Sequence, residues 1–186
     1  MGEEYLEEMD VAEGGTDLQK DVFMTFRCGK ESFAIEIKYV IEIIGIQSIT
    51  AIPEVADYIK GLINLRGKII PVIDVPVRFR QKPFEYTDRT CIIVIDVKDT
   101  EVGLIIENIA EVVNIEEKNI LPPPTIGPSQ EQNKYVYGIG KVIELVDGVE
   151  KESVKLLLDP EKLIKEEELT NLEVIAEKTQ EESEEE

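Results

Sequence analysis

Hydrophobic and polar residues alternate with a period of two along the first part of the chain, which is the pattern of strands with one buried face. The first run begins at Val22 and alternates through Arg27, and after a turn at residues 28–30 the alternation resumes over residues 33–37. Two such runs joined by a short turn that contains glycine predict an antiparallel hairpin.

Eight further segments have a β-type pattern. We predict strands at residues 41–46, 61–65, 69–74, 90–97, 102–106, 110–114, 137–146 and 150–158. The dipeptide Asp147-Gly148 and residues 98–101 have the composition of tight hairpin turns. The chain also contains 26 isoleucines and 18 valines, and β-branched side chains favour strands. Short strands at regular spacing predict a mostly β fold of barrels or a sandwich.

Only short helices are predicted. Residues 53–60 have a proline near the start and a glycine just after the end, which predicts two helical turns. Near the C-terminus, Asp159 is a candidate N-cap and Pro160 a candidate first helical residue. Residues 72–79 and 157–164 both run from a strand through Asp and Pro into an apolar stretch. This internal echo fits two similar lobes.

Acidic residues are concentrated at the two ends of the chain. The chain has 40 acidic and 20 basic residues and a net charge of −20. The first 21 residues hold eight acids and one base, and the last 26 hold eleven acids and three bases, so the part between them has a net charge of only −5. Because like charges repel and little of the ends is apolar, we predict disordered acidic tails at residues 1–20 and 169–186 around a domain at 21–168.

This charge also bears on the kinds of partner that the chain can bind. An acidic surface disfavours nucleic acid and direct binding to anionic membranes. The N-terminus lacks the basic and apolar regions of a secretory signal, and no apolar run has the length of a membrane span. We therefore expect a cytoplasmic protein.

The composition excludes several kinds of catalytic and metal site. The chain has no histidine, which excludes a Ser-His-Asp triad and a His-ligated zinc site. The two cysteines, Cys28 and Cys91, are far apart and are interpreted as free thiols in a reducing compartment. No phosphate-binding loop or complete dinucleotide motif occurs. We predict no catalytic, cofactor-binding or metal-binding residue.

One segment carries specific information about the family. Residues 58–79, YIKGLINLRGKIIPVIDVPVRF, resemble the signature of the CheW family of bacterial chemotaxis adaptors. Other segments also follow the family's order and spacing. They are the opening hairpin, residues 40–43, residues 102–112, the proline run at 122–124, and the closing strand and helix. The resemblance covers the chain from about residue 22 to residue 165.

The resemblance implies a fold and a role. The fold is two small, interleaved, five-stranded SH3-like β-barrel lobes packed around a shared hydrophobic core, with short helices that include one near the C-terminus. The role is a non-catalytic adaptor, without cofactor, that couples chemoreceptors to the regulatory domain of the histidine kinase CheA. The receptor partner is the helical hairpin at the cytoplasmic tip of a chemoreceptor, so the chain is expected at membrane-associated receptor arrays.

The resemblance also assigns residues to the two partners. The receptor-binding groove would contain Val40, Glu42, Gly61, Arg66, Ile109 and Val112. The kinase-binding surface would include the loop around Ile126, where some relatives have an aromatic residue.

Each groove residue also has a structural interpretation. The three aliphatic residues fit a buried core as well as a groove. Gly61 fits a helix stop as well as a close approach of two backbone segments. Arg66 and Glu42 fit an internal ion pair that sets the angle between the lobes as well as a contact with a partner.

Two other classes of function stay open at this stage. The chain fits the detached regulatory module of a kinase, or of an adaptor fused to a phospho-receiver, although a chain that ends at residue 186 without a receiver region favours the separate adaptor. A small β-barrel enzyme or metabolite binder would need a pocket with convergent polar groups, and the sequence offers no such constellation.

Overall fold

The computed structural model describes residues 19–79, 81–123 and 134–185. The strands are β1 (Val22–Cys28), β2 (Glu31–Glu36), β3 (Val40–Gly45), β4 (Ile59–Leu65), β5 (Lys68–Asp74), β6 (Cys91–Val97), β7 (Thr100–Ile106), β8 (Asn108–Asn114), β9 (Ile120–Leu121), β10 (Val136–Val146) and β11 (Val149–Leu158). The helices are α1 (Val75–Arg78), α2 (Pro160–Leu163) and α3 (Glu166–Glu184).

The strands form two sheets, which confirms the predicted mostly β fold. The six-stranded sheet has the order β8-β1-β2-β11-β10-β9, and we call it lobe A. The five-stranded sheet has the order β3-β6-β7-β5-β4, and we call it lobe B. Lobe A has one strand more than predicted, because the two residues of β9 pair with Ile139 and Gly140 of β10.

One isolated bridge links the two edges of lobe B. The chain after β3 returns to β4 at Thr50, whose N–H donates to the carbonyl of Leu62 at 2.8 Å and whose carbonyl accepts from Leu62 N–H at 2.8 Å. We call this contact between the β3 side and β4 the seam. The seam brings the segment after the first strand of the sheet order against the last strand, as in a small SH3-like barrel.

The two lobes pack on a shared core, as predicted. In the seven-residue strand β6, Ile93 and Ile95 face the shared core while Ile92 and Val94 face the interior of lobe B. Both faces of the strand are therefore buried, which explains its almost continuous apolar sequence. Across the lobes, the rings of Phe33 and Phe79 stack with centroids 4.8 Å apart.

The internal echo of the sequence corresponds to a structural repeat. Each lobe has one parallel strand pair, β11 with β2 in lobe A and β5 with β7 in lobe B. A short helix follows the strand in both cases. Asp74 accepts from Val77 N–H at 3.0 Å, and Asp159 accepts from Glu161 N–H at 3.0 Å, so both helices begin with an aspartate cap and have a proline in the first turn.

The predicted helix at residues 53–60 is wrong. These residues form turns, and β4 begins at Ile59. Glu54 has φ +59°, which a right-handed helix does not accept, and the N–H of Ile59 donates to the carbonyl of Ala56 at 3.0 Å in a turn. Pairing of β4 with β5 and with Thr50 outweighs the helix signals that proline and glycine give.

The structure also differs from the predicted disordered tail at residues 169–186, because Glu166–Glu184 forms α3. Leu169 and Leu172 are three positions apart, share one face of the helix and are buried in the shared core. The sequence analysis did not predict the helix, because the many acidic residues of the segment outweigh this apolar pair in its composition. Most of the predicted N-terminal tail, residues 1–18, lies outside the described residues.

Within the described ranges, no helix is both long enough and apolar enough to span a bilayer.

Candidate functional site

An exposed ion pair lies beside the seam of lobe B. Arg66, in the turn between β4 and β5, donates from both terminal guanidinium nitrogens to the carboxylate of Glu42 on β3, with Nη1 3.2 Å from Oε2. The hydrogen bonds that Arg66 donates to the Glu42 carboxylate raise the pKa of Arg66. The side chain of Arg66 is 70% exposed and that of Glu42 is 27% exposed. The predicted internal pair therefore exists, but it lies within one lobe and its outer face is open to a partner.

The backbone that carries Arg66 is held in an uncommon conformation. Arg66 has φ +52° and Gly67 has φ +88°, which are the two left-handed residues of a tight hairpin turn. Asn64 stabilises this turn, because its side-chain oxygen accepts from Gly67 N–H at 2.8 Å. The turn places the Arg66 side chain on the outside of the lobe, where it meets Glu42.

Gly61 lies in the seam, where two backbone segments approach closely. It is buried and has φ +139°, and a Cβ atom added to it would lie 2.0 Å from the carbonyl oxygen of Thr50. Only glycine allows the two backbone segments to approach so closely. Of the two structural interpretations, the close approach is therefore confirmed and the helix stop is wrong, since no helix precedes this glycine.

The aliphatic residues of the predicted groove have different surroundings. Val40 on β3 and Ile109 on β8 are half-buried, and both pack against the shared core, one from each lobe. The backbone N–H of Ile109 also donates to the sulfur of Cys91. Val112 is 58% exposed and lies opposite Met24 on the edge strand β8. The structure therefore joins Glu42, Gly61 and Arg66 around the seam, and places Val40 and Ile109 at the margin of the shared core.

Sequence reasoning missed two exposed isoleucines on β3. Ile41 and Ile43 are 47% and 41% exposed and alternate with Glu42 along this edge strand. Large apolar side chains on an exposed edge are typical of interaction surfaces. Because Glu42 alternates with them, the two isoleucines point to the other face of the strand from the Arg66–Glu42 pair. We call the exposed side chains of β3, taken together with Arg66, the β3 surface. The signal was present in the alternation of residues 40–45, but it does not tell which face of a strand is covered.

Sequence reasoning also missed the residue that joins the lobes. The side chain of Arg78 on α1 is only 9% exposed, and its guanidinium lies 4.2 Å from the ring centroid of Tyr58 and 5.1 Å from that of Tyr135. Its Nε donates to the carbonyl of Leu163 at 3.0 Å, and its Nη2 donates to Glu168 at 3.2 Å. We call this cluster the interlobe junction.

The junction takes the role that the sequence analysis considered for Arg66 and Glu42. Tyr58 precedes β4 of lobe B, Tyr135 precedes β10 of lobe A, and Glu168 belongs to α3. The hydroxyl of Tyr58 also donates to Glu168, and burial together with this hydrogen bond raises the pKa of Tyr58 to about 12. The ion pair that fixes the lobes is therefore Arg78–Glu168, and Arg66–Glu42 is the exposed one.

The thiols offer little reactivity. Cys28 is buried in the shared core, and Cys91 is half-buried. Burial raises the pKa of both thiols, so the reactive thiolate is disfavoured at neutral pH. Across the described part of the chain, no group of three or more acidic or cysteine side chains has the arrangement of a metal site. The predicted kinase contact Ile126 lies outside the described residues.

Comparisons with known proteins give a consistent result. The family model described as CheW-like domain matches residues 22–168. The chain is 32% identical over 154 residues to the chemotaxis protein CheW of Klebsiella aerogenes, covering 83% of this chain and 87% of the relative. It is also 32% identical over 155 residues to the protein of that name from Treponema pallidum, covering 80% and 85%. The crystal structure of the scaffolding protein TtCheW from Thermoanaerobacter tengcongensis matches with a TM-score of 0.67 and 31% identity, over 80% of this chain and 94% of that one.

Proposed function

The chain belongs to the CheW family of chemotaxis adaptor and scaffold proteins, and on this premise we propose that it links chemoreceptors to the histidine kinase CheA without catalysing a reaction. The observation that carries the proposal is the β3 surface, where one strand carries two exposed isoleucines, Ile41 and Ile43, and the glutamate of the exposed Arg66–Glu42 pair. A surface that combines apolar area with a few charged groups suits reversible protein binding.

The receptor partner in this proposal is a helical hairpin. A helix presents apolar side chains at positions i, i+3, i+4 and i+7, and such a stripe fits against exposed isoleucines on a stiff strand. Arg66 and Glu42 then orient the helix, because a bidentate pair with an open outer face can exchange partners with charged groups on the helix. Val40, Ile109 and Val112 extend the surface toward the second lobe, and Gly61 shapes it through the seam.

The kinase partner is the regulatory domain of CheA. We propose that the loop around Ile126 contributes to this contact. Each interface is expected to be modest, near or below about 1,000 Å², so that lasting assembly depends on many linked contacts in an array. With a net charge of −20, the chain is expected in the cytoplasm, at receptor arrays but without direct contact to lipid or nucleic acid.

A separate adaptor is favoured over a detached regulatory module by the extent of the matches. The chain covers 87% of the chemotaxis protein CheW of Klebsiella aerogenes and 94% of the scaffolding protein TtCheW, so it has nearly the full extent of these two adaptors.

The test is a titration of isotope-labelled protein with a receptor cytoplasmic hairpin, followed by backbone amide shifts. We expect shifts at residues 40–43, 61–67 and 109–112, and a loss of binding in Arg66→Ala. Arg27→Ala, which removes an exposed arginine from β1 of lobe A, is the matched control and is expected to bind normally. If the folded wild type shows no shift with a hairpin that binds another CheW protein, the receptor role is excluded.

A further inference from the structure

We propose that α3 is a clamp on the β3 surface, in which the side-chain amide of Gln180 holds the turn that presents Arg66. The consequence for binding rests on the proposed function, whereas the contact itself does not. Gln180 Oε1 accepts from Ile69 N–H at 2.9 Å, and Gln180 Nε2 donates to the carbonyl of Gly67 at 2.7 Å. Both groups of the amide are therefore bound to the backbone of one turn and the residue that follows it.

The place that Gln180 occupies is a gap in the sheet of lobe B. The parallel pairing of β5 with β7 covers Val72 to Asp74 only. Before Val72, Pro71 has no N–H to donate, and the two strands separate around a cleft of about 610 Å³. In a parallel ladder, one residue of the neighbouring strand accepts from the N–H of residue i+1 and donates to the carbonyl of residue i−1. With Lys68 as residue i, Gln180 accepts from the N–H of Ile69 and donates to the carbonyl of Gly67. A helix side chain therefore makes the two hydrogen bonds that a neighbouring strand would make.

The clamp acts on a turn whose conformation needs support. Arg66 is a non-glycine residue with φ +52°, a conformation that such residues seldom adopt. Asn64 holds the N–H of Gly67, Gln180 holds its carbonyl, and Glu42 holds the Arg66 side chain. Removal of Gln180 leaves the carbonyl of Gly67 and the N–H of Ile69 without this partner, and the turn becomes free to change its conformation.

The two halves of α3 are held in different ways. The first half is anchored by Leu169 and Leu172 in the shared core and by Glu168 in the interlobe junction. The second half lies over the open cleft, whose charged lining is Lys68, Asp99, Glu101, Glu173, Glu177 and Glu181. Lys68 pairs with Glu101 at 2.7 Å, which leaves Asp99 on the sheet side opposite the three glutamates of the helix. These like charges repel each other. The contacts of Gln180 oppose this repulsion, and salt, which screens it, is expected to tighten the clamp.

The clamp lies outside the part of the chain that defines the family. The family model ends at residue 168, whereas Gln180 lies twelve positions further along the chain. The C-terminal half of α3 therefore stabilises the turn that carries Arg66. The order of this turn depends on whether the acidic end of the helix stays bound to it.

The experiment compares Gln180→Met, which keeps the length of the side chain but neither hydrogen bond, with Lys178→Met, an exposed neighbour on the same helix. The first readout is amide hydrogen exchange at Ile69 together with the side-chain Nε–H signal of Arg66, measured without any partner. We expect about tenfold faster exchange at Ile69 in Gln180→Met, no change in Lys178→Met, and slower exchange in the wild type as NaCl is raised. Unchanged shifts at Leu169 and Leu172 show that α3 remains folded.

The second readout is the affinity for the receptor hairpin. Gln180→Met is expected to bind roughly three- to tenfold more weakly than the wild type, because a turn that is no longer preorganised must be ordered on binding. Unchanged exchange at Ile69 in Gln180→Met would overturn the clamp. Faster exchange with unchanged affinity would overturn its role in binding. If neither the wild type nor any variant binds the hairpin, the receptor role fails, and the exchange at Ile69 still decides the clamp.

Discussion

The seam of lobe B and the interlobe junction each contain an arginine paired with a glutamate, and the two pairs differ in almost every other respect. Arg66 is 70% exposed and contacts one carboxylate, whereas Arg78 is 9% exposed and contacts a carboxylate, a carbonyl and two aromatic rings. Solvent screens the first pair, whereas burial of the second makes the removal of either partner costly, because it leaves an uncompensated charge. The same two residue types therefore present a surface in one place and fix the arrangement of the lobes in the other.

The largest effect on stability is expected from the backbone of the seam, not from its charges. Gly61→Ala would place a Cβ atom 2.0 Å from the Thr50 oxygen, and we expect a loss of roughly 4 kcal/mol in the free energy of unfolding. Gly67→Ala is the matched control, because Gly67 also has a positive φ but has no atom within 4 Å of an added Cβ. Its expected loss is about 1 kcal/mol. Equal losses in urea denaturation would contradict the close approach at Gly61.

The junction is expected to come next. Arg78→Met keeps an apolar stem against Tyr58 and Tyr135 but removes the charge, which leaves Glu168 without its cation. We expect a loss of about 3 kcal/mol, since breaking a buried pair leaves an uncompensated charge. The measurement is urea denaturation of wild type and variant. A loss below about 1 kcal/mol would mean that the junction is no stronger than the exposed pair of the seam.

The two regions should also differ in their response to alkaline pH. The pKa of Tyr58 is about 12 in the folded protein and 10.0 as an ordinary tyrosine. Between these values the folded state binds the proton more tightly than the unfolded state, so stability falls as the pH rises from 10 to 12 and is unaffected below pH 10. Tyr58→Phe should have a flatter stability profile in this range. If the free energy of unfolding falls equally steeply with pH in both proteins, the alkaline loss of stability comes from the other tyrosines.

The smallest effect on stability is expected at the ion pair of the seam. Arg66→Ala should leave the melting temperature unchanged within error, since the guanidinium is solvent-exposed. The same variant should lose hairpin binding, so that binding changes at Arg66 while stability does not. A large fall in the melting temperature of Arg66→Ala would remove the distinction between the two arginines.

Much of the fold could be predicted because the strands have a clear period of two. The positions of β1 to β8, β10 and β11 agree with the predicted segments to within about two residues, since alternation depends only on local sequence. The helix at 53–60 was wrong because pairing with β5 and Thr50 is a tertiary effect. The helix α3 was missed because its two buried leucines lie in a segment dominated by acids.

The candidate site was predictable only in part, for a related reason. The family motif contains Arg66 and Gly61, and it allows the pairing of Arg66 with Glu42. Whether each residue binds a partner or supports the fold depends on its burial, and burial depends on tertiary contacts that the local sequence does not show. Arg78 lies in the same motif and was not singled out. The two aromatic rings that enclose it come from positions 58 and 135, which only the folded chain brings together.

The interleaving of the lobes has a consequence for synthesis on the ribosome. Lobe B is built from one continuous segment, β3 to β7, and its last strand ends at Ile106. Lobe A needs both ends of the chain, because Phe33 on β2 pairs with Leu156 on β11, 123 positions later. Closing so long a loop is slow and requires that β11 has emerged. The nascent chain can therefore complete lobe B long before lobe A. During this interval the apolar face of β1 and β2 is not yet covered, because β11 has not been synthesised.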